Sequence, residues 1–371
     1  RYIESVPDSR GVTLNIHYSI SKIKKSDYRP RLADDRVGYF LTVVKDYSQK
    51  GTDDRFVRQI NRWNLQKADA SEAVSPPKRP IIFWLENTVP FKYRKTIRDG
   101  ILEWNRAFEQ AGFANAIEVR QQPDKADWDP EDINYNTFRW ITSSAGYAMG
   151  PSRVNPYTGE ILDADILFDA DFLETWKSDF EELTPSSIAA LTGEAFQVGE
   201  HNQAQRELER GPSGPLPYCQ RRHDMARQLL FGSVSFATDG RDDLYRAERE
   251  KMILQGLKGT VMHEVGHTLG LRHNFKGSTF LTLEEMNDPN RVAEVGMLSS
   301  VMDYDAVNIV GDLSKQGNYF TPTIGPYDIW AIEYGYKTFV GDESAGLAKI
   351  ASRSGEPQLA YATDEDLSLI H

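Results

Sequence analysis

The stretch that decides the fold is residues 263–275, which read His-Glu-Val-Gly-His-Thr-Leu-Gly-Leu-Arg-His-Asn-Phe. An α-helix completes a turn in about 3.6 residues, so His263 and His267 lie one above the other on one helix face. Two imidazoles at this spacing can bind the same metal ion. The opposite side of the helix carries the apolar residues Val261, Met262, Val265 and Leu269. We therefore expect a helix that buries one face and presents histidines on the other.

Three neighbouring residues complete the predicted site. Gly270 tolerates a positive φ, which lets the chain leave the helix and turn so that His273 can become a third ligand. Three protein ligands with one exchangeable position are typical of catalytic zinc, whereas structural zinc sites have four protein ligands. Glu264 follows His263 directly, so its carboxylate points beside the metal and suits a general base. The pattern predicts metal ligands His263, His267 and His273, with Glu264 as the catalytic base.

Composition narrows the class of protein. The chain has 371 residues, of which 40% are apolar and 26% are charged, as in ordinary folded proteins. Its formal net charge of −12 argues against nucleic acid as a partner. Cys219 is the single cysteine, so an intrachain disulfide and a CxxC zinc site are both excluded. The apolar runs are shorter than the roughly 20 residues that span a bilayer, and the chain opens at Arg1, which predicts excision from a longer precursor.

The N-terminal part has the pattern of strands. Polar and apolar residues alternate over residues 12–18, and residues 38–44 form a β-rich run. Residues 67–80 are polar and contain three prolines, which is typical of a linker or a surface crossing. We place a domain boundary there, after a β-rich segment of residues 1–79.

The next part predicts an α+β arrangement. Residues 81–85 form a short apolar strand, and residues 137–142 form another candidate. Between them a helix is indicated by apolar residues spaced three and four apart, ending at Gly112, which we expect to cap it in the left-handed conformation. The apolar positions of that helix are Ile97, Ile101, Trp104, Phe108 and Ala111.

The even positions of residues 162–172 are apolar and four of the odd positions are Asp, which predicts a half-buried strand with an acidic outer face. We expect this strand at the sheet edge, where it would form the upper rim of a cleft and pair with an extended substrate. The acidic residues Asp163, Asp165, Asp169 and Asp171, or the acidic loop 124–132, could hold Ca²⁺, although neither has the spacing of a calcium loop. The alternative is that these acids are solvated or protect the sheet edge.

The region before the metal motif is less regular. Residues 184–237 have a mixed helix and loop pattern. A helical region then begins at Asp242, and Gly256 and Gly259 within it predict two consecutive helices.

A second motif follows, Ser299-Ser300-Val301-Met302-Asp303-Tyr304. An extended HExxHxxGxxH followed by a methionine-containing turn resembles the metzincin zinc peptidases, and this turn is most similar to those of astacin-type and serralysin-type members. The resemblance implies that Met302 packs beneath the zinc and that Tyr304 contacts the metal or the transition state. Asn274 departs from the better-known subfamilies, which have Asp, Glu, Ser or Pro after the third histidine.

The chain resembles the bacterial met-zincin domain family most closely. This resemblance rests on residues 103–113, 159–166 and 325–335 together with the zinc motif, and it covers roughly residues 80 to 337. In the last of these segments, Pro326 is a good first residue of a helix and Gly335 a good terminator. The family consists of large envelope-associated proteins, which implies an exported protein, whether periplasmic, cell-envelope or secreted.

The resemblance also implies a fold and its division. We expect a metzincin-like catalytic domain whose upper subdomain, residues 80–275, contains a twisted sheet, a backing helix and the zinc helix. A lower subdomain with the Met-turn and a final helix would span residues 276–340, and residues 341–371 would be a C-terminal extension. The implied activity is a zinc-dependent metalloendopeptidase, a hydrolase that cleaves peptide or protein substrates and uses one catalytic Zn²⁺.

Two alternatives stay open from the residues alone. A zinc hydrolase of a non-peptide substrate would keep all three histidines and Glu264. A non-catalytic binding module with the same fold would be expected to lose Glu264, which is present. Cys219 could serve as a latency switch on the zinc but lacks the surrounding motif, and no other histidine has a partner at ligand spacing. Those histidines are His17, His201, His223 and His371.

Overall fold

A computed structural model describes residues 13, 16, 18, 20–48, 54–142, 148–170, 173, 242–310 and 313–368. Its strands are β1 Leu41–Lys45, β2 Phe56–Ile60, β3 Arg62–Trp63, β4 Ile81–Leu85, β5 Ile117–Gln121, β6 Asn136–Ile141, β7 Ala148–Met149, β8 Ser152–Val154, β9 Glu160–Ala164 and β10 Ile166–Asp169. Its α-helices are α1 Phe91–Leu102, α2 Asn105–Gln110, α3 Asp242–Thr268, α4 Pro289–Val295, α5 Pro326–Tyr336, α6 Ser344–Ala351 and α7 Asp364–Ser368.

The main sheet has five strands in the order β5-β4-β6-β10-β7. Its first four strands are parallel, and the short β7 pairs antiparallel with β10 at one edge. Phe83, Phe138 and Phe168 are fully buried in the central strands. Helices α1 and α3 pack against each other, and α3 also contacts β7 and β10. The predicted α+β class is confirmed, with β4 at the predicted residues and β6 within one residue of them.

The acidic strand was predicted wrongly. Residues 162–172 do not form one strand, because the chain changes from β9 to β10 at Asp165, and these two strands belong to different sheets. β9 lies between β3 and β8 in a three-stranded sheet, and β10 lies between β6 and β7. Neither is an edge strand. Asp163 and Asp169 are buried while Leu162 is exposed, so the acids do not form a solvated outer face.

Two helix predictions also need correction. α3 runs without interruption through Gly256 and Gly259, because packing in the core outweighs the cost of about 1 kcal/mol that each glycine carries in a helix. The backing helix is divided instead, into α1 and α2, with the buried Trp104 at the junction. Gly112 follows α2 with φ +93°, as its predicted capping role requires.

In the N-terminal part, β1 pairs antiparallel with β2. β1 overlaps the C-terminal part of the predicted run 38–44, whereas β2 follows that run. The predicted strand 12–18 is largely outside the described residues, and residues 13, 16 and 18 are not in a strand. Residues 67–80 cross the surface. Lys67 forms an isolated antiparallel β-bridge with Pro77, and the buried Ser75 forms a parallel one with Phe113. The predicted mixed region 184–237 is outside the described residues.

Helix α5 contains most of residues 325–335, the last of the segments on which the family resemblance rests. Pro326 is its first residue, as predicted, but Gly335 lies inside the helix, which ends one residue later at Tyr336. The domain boundaries at 79/80, 275/276 and 340/341 stay predictions. Within the described part of the chain, no helix is both long enough and apolar enough to cross a membrane.

Candidate metal centre

Helix α3 carries the first half of the predicted metal motif in its last two turns. Its core face is fully buried through Val261 and Val265, which fixes the rotation of the helix. The Trp104 indole donates a hydrogen bond to the Met262 carbonyl at 3.0 Å and ties the helix to the α1-α2 junction. His263, Glu264 and His267 are consequently held at fixed positions on the face that the core does not use.

The chain turns sharply after the helix. Gly270 has φ +97°, a conformation that other residues rarely adopt, and a side chain there would also collide with the Asn61 carbonyl. Tyr39 then pairs antiparallel with Leu271. The turn brings His273 back to the histidines of the helix, which is the arrangement predicted from the spacing.

The three predicted ligands lie together. The candidate ligand atoms of His263, His267 and His273 are all within 4.8 Å of one another. The ring centroids are 4.7 Å apart for His263 and His267, 5.3 Å for His263 and His273, and 4.8 Å for His267 and His273. This geometry allows one ion to be bound by three imidazoles.

An oxygen atom lies within hydrogen-bond distance of Nδ1 on each ring. For His263 it is the Val301 carbonyl at 2.8 Å, for His267 the Leu271 carbonyl at 2.9 Å, and for His273 the Asp364 carboxylate at 2.9 Å. A carbonyl can only accept, so Nδ1 carries the proton and Nε2 keeps the lone pair that a metal needs. The donor set therefore fits zinc, which imidazole nitrogen suits well.

The turn around Met302 lies directly beneath the zinc helix. Met302 is fully buried, and its sulfur approaches the helix at Gly266, where a side chain would not fit. The Met302 carbonyl accepts a hydrogen bond from the Asn274 amide at 3.0 Å. The structural role predicted for Met302 thus corresponds to a contact between the turn and the helix at Gly266, which directly precedes His267.

Asp328, in the first turn of α5, holds this Met-turn in place. Its carboxylate accepts hydrogen bonds from the Ser300 hydroxyl at 2.7 Å, the Val301 amide at 2.9 Å and the Gly325 amide at 2.9 Å. Burial raises the pKa of Asp328 to about 7, although all three hydrogen bonds act in the opposite direction. Because the same Val301 orients His263 through its carbonyl, Asp328 supports the metal site through the backbone.

Tyr304 and Glu264 complete the site. The Tyr304 hydroxyl lies 3.1 Å from Nε2 of His273, on the side of the ring that would face a metal. Glu264 is buried at 1% exposure, next to His263. Both predicted catalytic residues are thus beside the triad, although their roles stay predictions.

The N-terminal hairpin region also reaches the site. The Phe40 ring centroid lies 5.7 Å from that of His267, and the Phe40 amide donates to the Gly270 carbonyl at 2.8 Å. The ring is 39% exposed, so it forms an apolar wall that solvent can reach. The sequence predicted a β-rich run here but not its contact with the metal centre.

Sequence reasoning missed Asp364 and Asp328 as well. Asp364 lies 91 residues after His273, in an acidic run that resembles an ordinary helix start, and no local pattern pairs the two. For Asp328 a sequence signal existed, because it lies in residues 325–335, one of the segments on which the resemblance to the met-zincin family rests. The hydrogen bond from His273 lowers the pKa of Asp364 to about 2.

The other predicted sites are not at this centre. Asp163 is paired with Arg153, with Nε 3.5 Å from Oδ2, and together with Asp165 it lines a separate cavity of about 620 Å³. A calcium site there, or in the acidic loop, stays a prediction. Cys219, Asp171 and the four remaining histidines are outside the described residues.

Comparison with known families agrees with this geometry. Residues 246–371 match the family model described as Met-zincin. The Met-zincin match begins within α3 and includes the triad, the Met-turn, α5 and the C-terminal residues around Asp364. Residues 3–68 match a second model, described as Domain of unknown function (DUF5117). Comparison with the curated proteins and with the solved structures gave no match.

The resemblance predicted from the motif and the turn is therefore confirmed. The Met-zincin segment is preceded by β-rich residues, as expected. The match and the histidine triad together point to zinc binding and suggest a zinc metallopeptidase-like fold.

Proposed function

We propose that this protein is a zinc-dependent metalloendopeptidase that hydrolyses peptide bonds at the site formed by His263, His267 and His273. One observation carries the proposal: the Nδ1 atom of each ring meets an oxygen, so that the three Nε2 atoms can bind one ion. A zinc ion held in this way supplies Lewis acidity, which lowers the pKa of a water molecule and polarises a carbonyl. The remaining steps belong to residues of the chain.

Glu264 is the proposed general base. It follows the first ligand on α3 and is almost completely buried, and a carboxylate held there can take the proton of the attacking water. It then delivers that proton to the leaving amine. Tyr304 is proposed to donate a hydrogen bond to the oxyanion that forms on the carbonyl, because its hydroxyl lies beside His273 Nε2.

We propose that the substrate binds along β7, at the edge of the five-stranded sheet, and not along residues 162–172. Among the described strands, β7 lies at one edge of the five-stranded sheet, and Gly150, directly after it, approaches the backbone carbonyl of Glu264 so closely that a side chain would not fit. An extended peptide could pair with this strand and lie across the base. Phe40 would then favour an apolar substrate side chain near His267. Export from the cytoplasm is part of the proposal and rests on the family resemblance.

The test is digestion of a peptide library by the purified protein, by the protein after chelation, and by Glu264→Gln. Glu264→Gln should keep its zinc and lose about 100-fold to 10,000-fold in activity, because an amide cannot accept the proton. The chelated protein should be inactive until zinc is restored. Wild-type turnover by Glu264→Gln would refute the mechanism. A zinc-loaded protein that cleaves no peptide would favour a non-peptide hydrolase, if a panel of esters and amides is hydrolysed, or a binding module if it is not.

A further inference from the structure

The C-terminal residues form a strap along the residues that follow the metal motif. We define the C-terminal strap as residues 360–366, which enter α7. The Phe275 amide donates to the Ala362 carbonyl at 2.8 Å, and the Asn274 side chain donates to the Ala360 carbonyl at 3.0 Å. The Ala362 amide in turn donates to the side-chain oxygen of Asn274 at 3.2 Å. The strap is therefore held by both backbone and side-chain contacts.

Asn274 explains why this chain departs from the better-known metzincins at the residue after the third histidine. It is fully buried, and its amide acts as donor to one strap residue and as acceptor from another. A carboxylate could accept but not donate, and proline or serine could not span both contacts. The residue at position 274 is thus suited to binding the strap.

The strap places a carboxylate on the third ligand. Asp364 Oδ1 lies 2.9 Å from Nδ1 of His273, and Thr363 and Asp366 fix the start of α7 through a hydrogen bond of 2.8 Å. The neighbouring Glu365 accepts a hydrogen bond from Arg272, whose Nη2 also lies 3.6 Å from Asp364 Oδ2. The two adjacent acids of the strap therefore share Arg272, but of the two only Asp364 contacts a predicted ligand.

We propose that Asp364 is a positioning residue of the metal centre and that the strap 360–366 is part of the zinc site. Asp364 accepts a hydrogen bond from the Nδ1–H group of His273 and so directs the Nε2 lone pair toward the other two histidines. A carboxylate in this position also makes the imidazole a stronger donor to the metal. The inference rests on the zinc binding assumed in the proposed function.

The zinc dissociation constant, measured by competition with a chromophoric chelator, tests this role. Asp364→Ala should weaken zinc binding by about 10-fold to 100-fold, the usual effect of removing a partner of a metal-bound histidine. Asp364→Asn should weaken it less, because the amide oxygen still accepts but carries no charge. Glu365→Gln is the matched control, since it changes the next acid on the same helix, and it should bind zinc within about twofold of wild type.

A spectroscopic signature separates positioning from general stability. In the metal-free protein labelled with ¹⁵N-histidine, His273 should be the Nδ1–H tautomer in wild type and in Glu365→Gln, and a mixture of tautomers in Asp364→Ala. The thermal midpoints of the metal-free variants should agree within a few degrees, because Asp364 is 53% exposed.

The outcomes are distinguishable. A wild-type protein that binds no zinc would refute the proposed function and this inference with it. A wild-type protein that binds zinc, with Asp364→Ala equal to it in affinity and tautomer, would overturn this inference alone. If Asp364→Ala does not fold, Asp364→Asn carries the test, and equal zinc affinity of Asp364→Asn and Glu365→Gln would overturn the role of the charge.

Discussion

The three histidines of the triad are oriented in two different ways. His263 and His267 come from consecutive turns of α3, are 0% and 7% exposed, and meet backbone carbonyls through Nδ1. His273 follows the turn at Gly270, is less buried, and meets the side chain of Asp364, which is itself 53% exposed. The first two orientations cannot be removed by changing a partner side chain, whereas the third can. The metal site is therefore most easily altered at its third ligand.

The two backbone partners differ in how far they lie from their histidines along the chain. The Leu271 carbonyl is part of the turn that follows α3, only four residues from His267. The Val301 carbonyl is 38 residues from His263 and is held by Asp328 through the neighbouring amide. Of the three rings, His267 alone is both positioned and oriented by its own stretch of sequence.

The largest effect is expected from removing a ligand that is held by the backbone. Elemental analysis of unchelated wild-type protein should give about one zinc per chain, and His267→Ala should lose most of it, because two imidazoles do not complete a catalytic site. Asp364→Ala should keep more zinc than His267→Ala under the same conditions. Equal zinc content in these two variants would contradict the distinction between ligands and their orienting partners.

A smaller effect is expected from Tyr304, which lies beside the third ring. Tyr304→Phe keeps the aromatic ring and deletes one donor, and loss of one oxyanion donor typically lowers kcat about 100-fold to 1,000-fold. Zinc content and thermal midpoint should hardly change, since the Phe275 and His273 rings still pack against residue 304. The measurement is kcat and zinc content on one preparation. An unchanged kcat would make Tyr304 a packing residue, and a loss of zinc would assign it to metal binding.

The smallest effect on the metal is expected from Asp163, whose ion pair is with Arg153 and not with a ligand. Burial and the charge of Asp165 raise the pKa of Asp163 to about 7. The unfolded chain releases this proton near pH 4 and the folded protein near pH 7, so between these values the folded state binds more protons. The free energy of unfolding should therefore fall as the pH rises through this window, by up to about 1.4 kcal/mol per pH unit from this group.

Asp163→Asn should remove this contribution and flatten the pH profile relative to wild type. Denaturant unfolding at pH 4 to 8 measures the difference in the free energy of unfolding between wild type and Asp163→Asn. Because both proteins contain Asp328, the titration of Asp328 contributes equally to both profiles and does not affect this difference. Zinc affinity should equal that of wild type. A parallel pair of pH profiles would show that Asp163 titrates at its ordinary value in the folded protein.

The errors in reading the sequence have a common physical cause. The even positions of residues 162–172 are all apolar, yet the chain changes sheets at Asp165. A shift of one residue in a strand reverses which side chains are buried. Gly256 and Gly259 predicted a break in α3 because propensity is local, while the core packing that keeps the helix continuous is not. In both cases a local pattern favoured one structure, and contacts between distant residues produced another.

The sequence by itself determined the spacing of His263, Glu264, His267, Gly270 and His273, because helix geometry and the conformational freedom of glycine act over a few residues. It also determined the α+β class and the resemblance to the Met-zincin family, since strand and helix periods and motif residues are written locally. Only the tertiary structure decided which atoms orient the rings of His263 and His273. Asp328, Asp364 and Phe40 reach the centre from distant segments, and a hydrogen bond between residues 38 or 91 positions apart leaves no periodic signal in the chain.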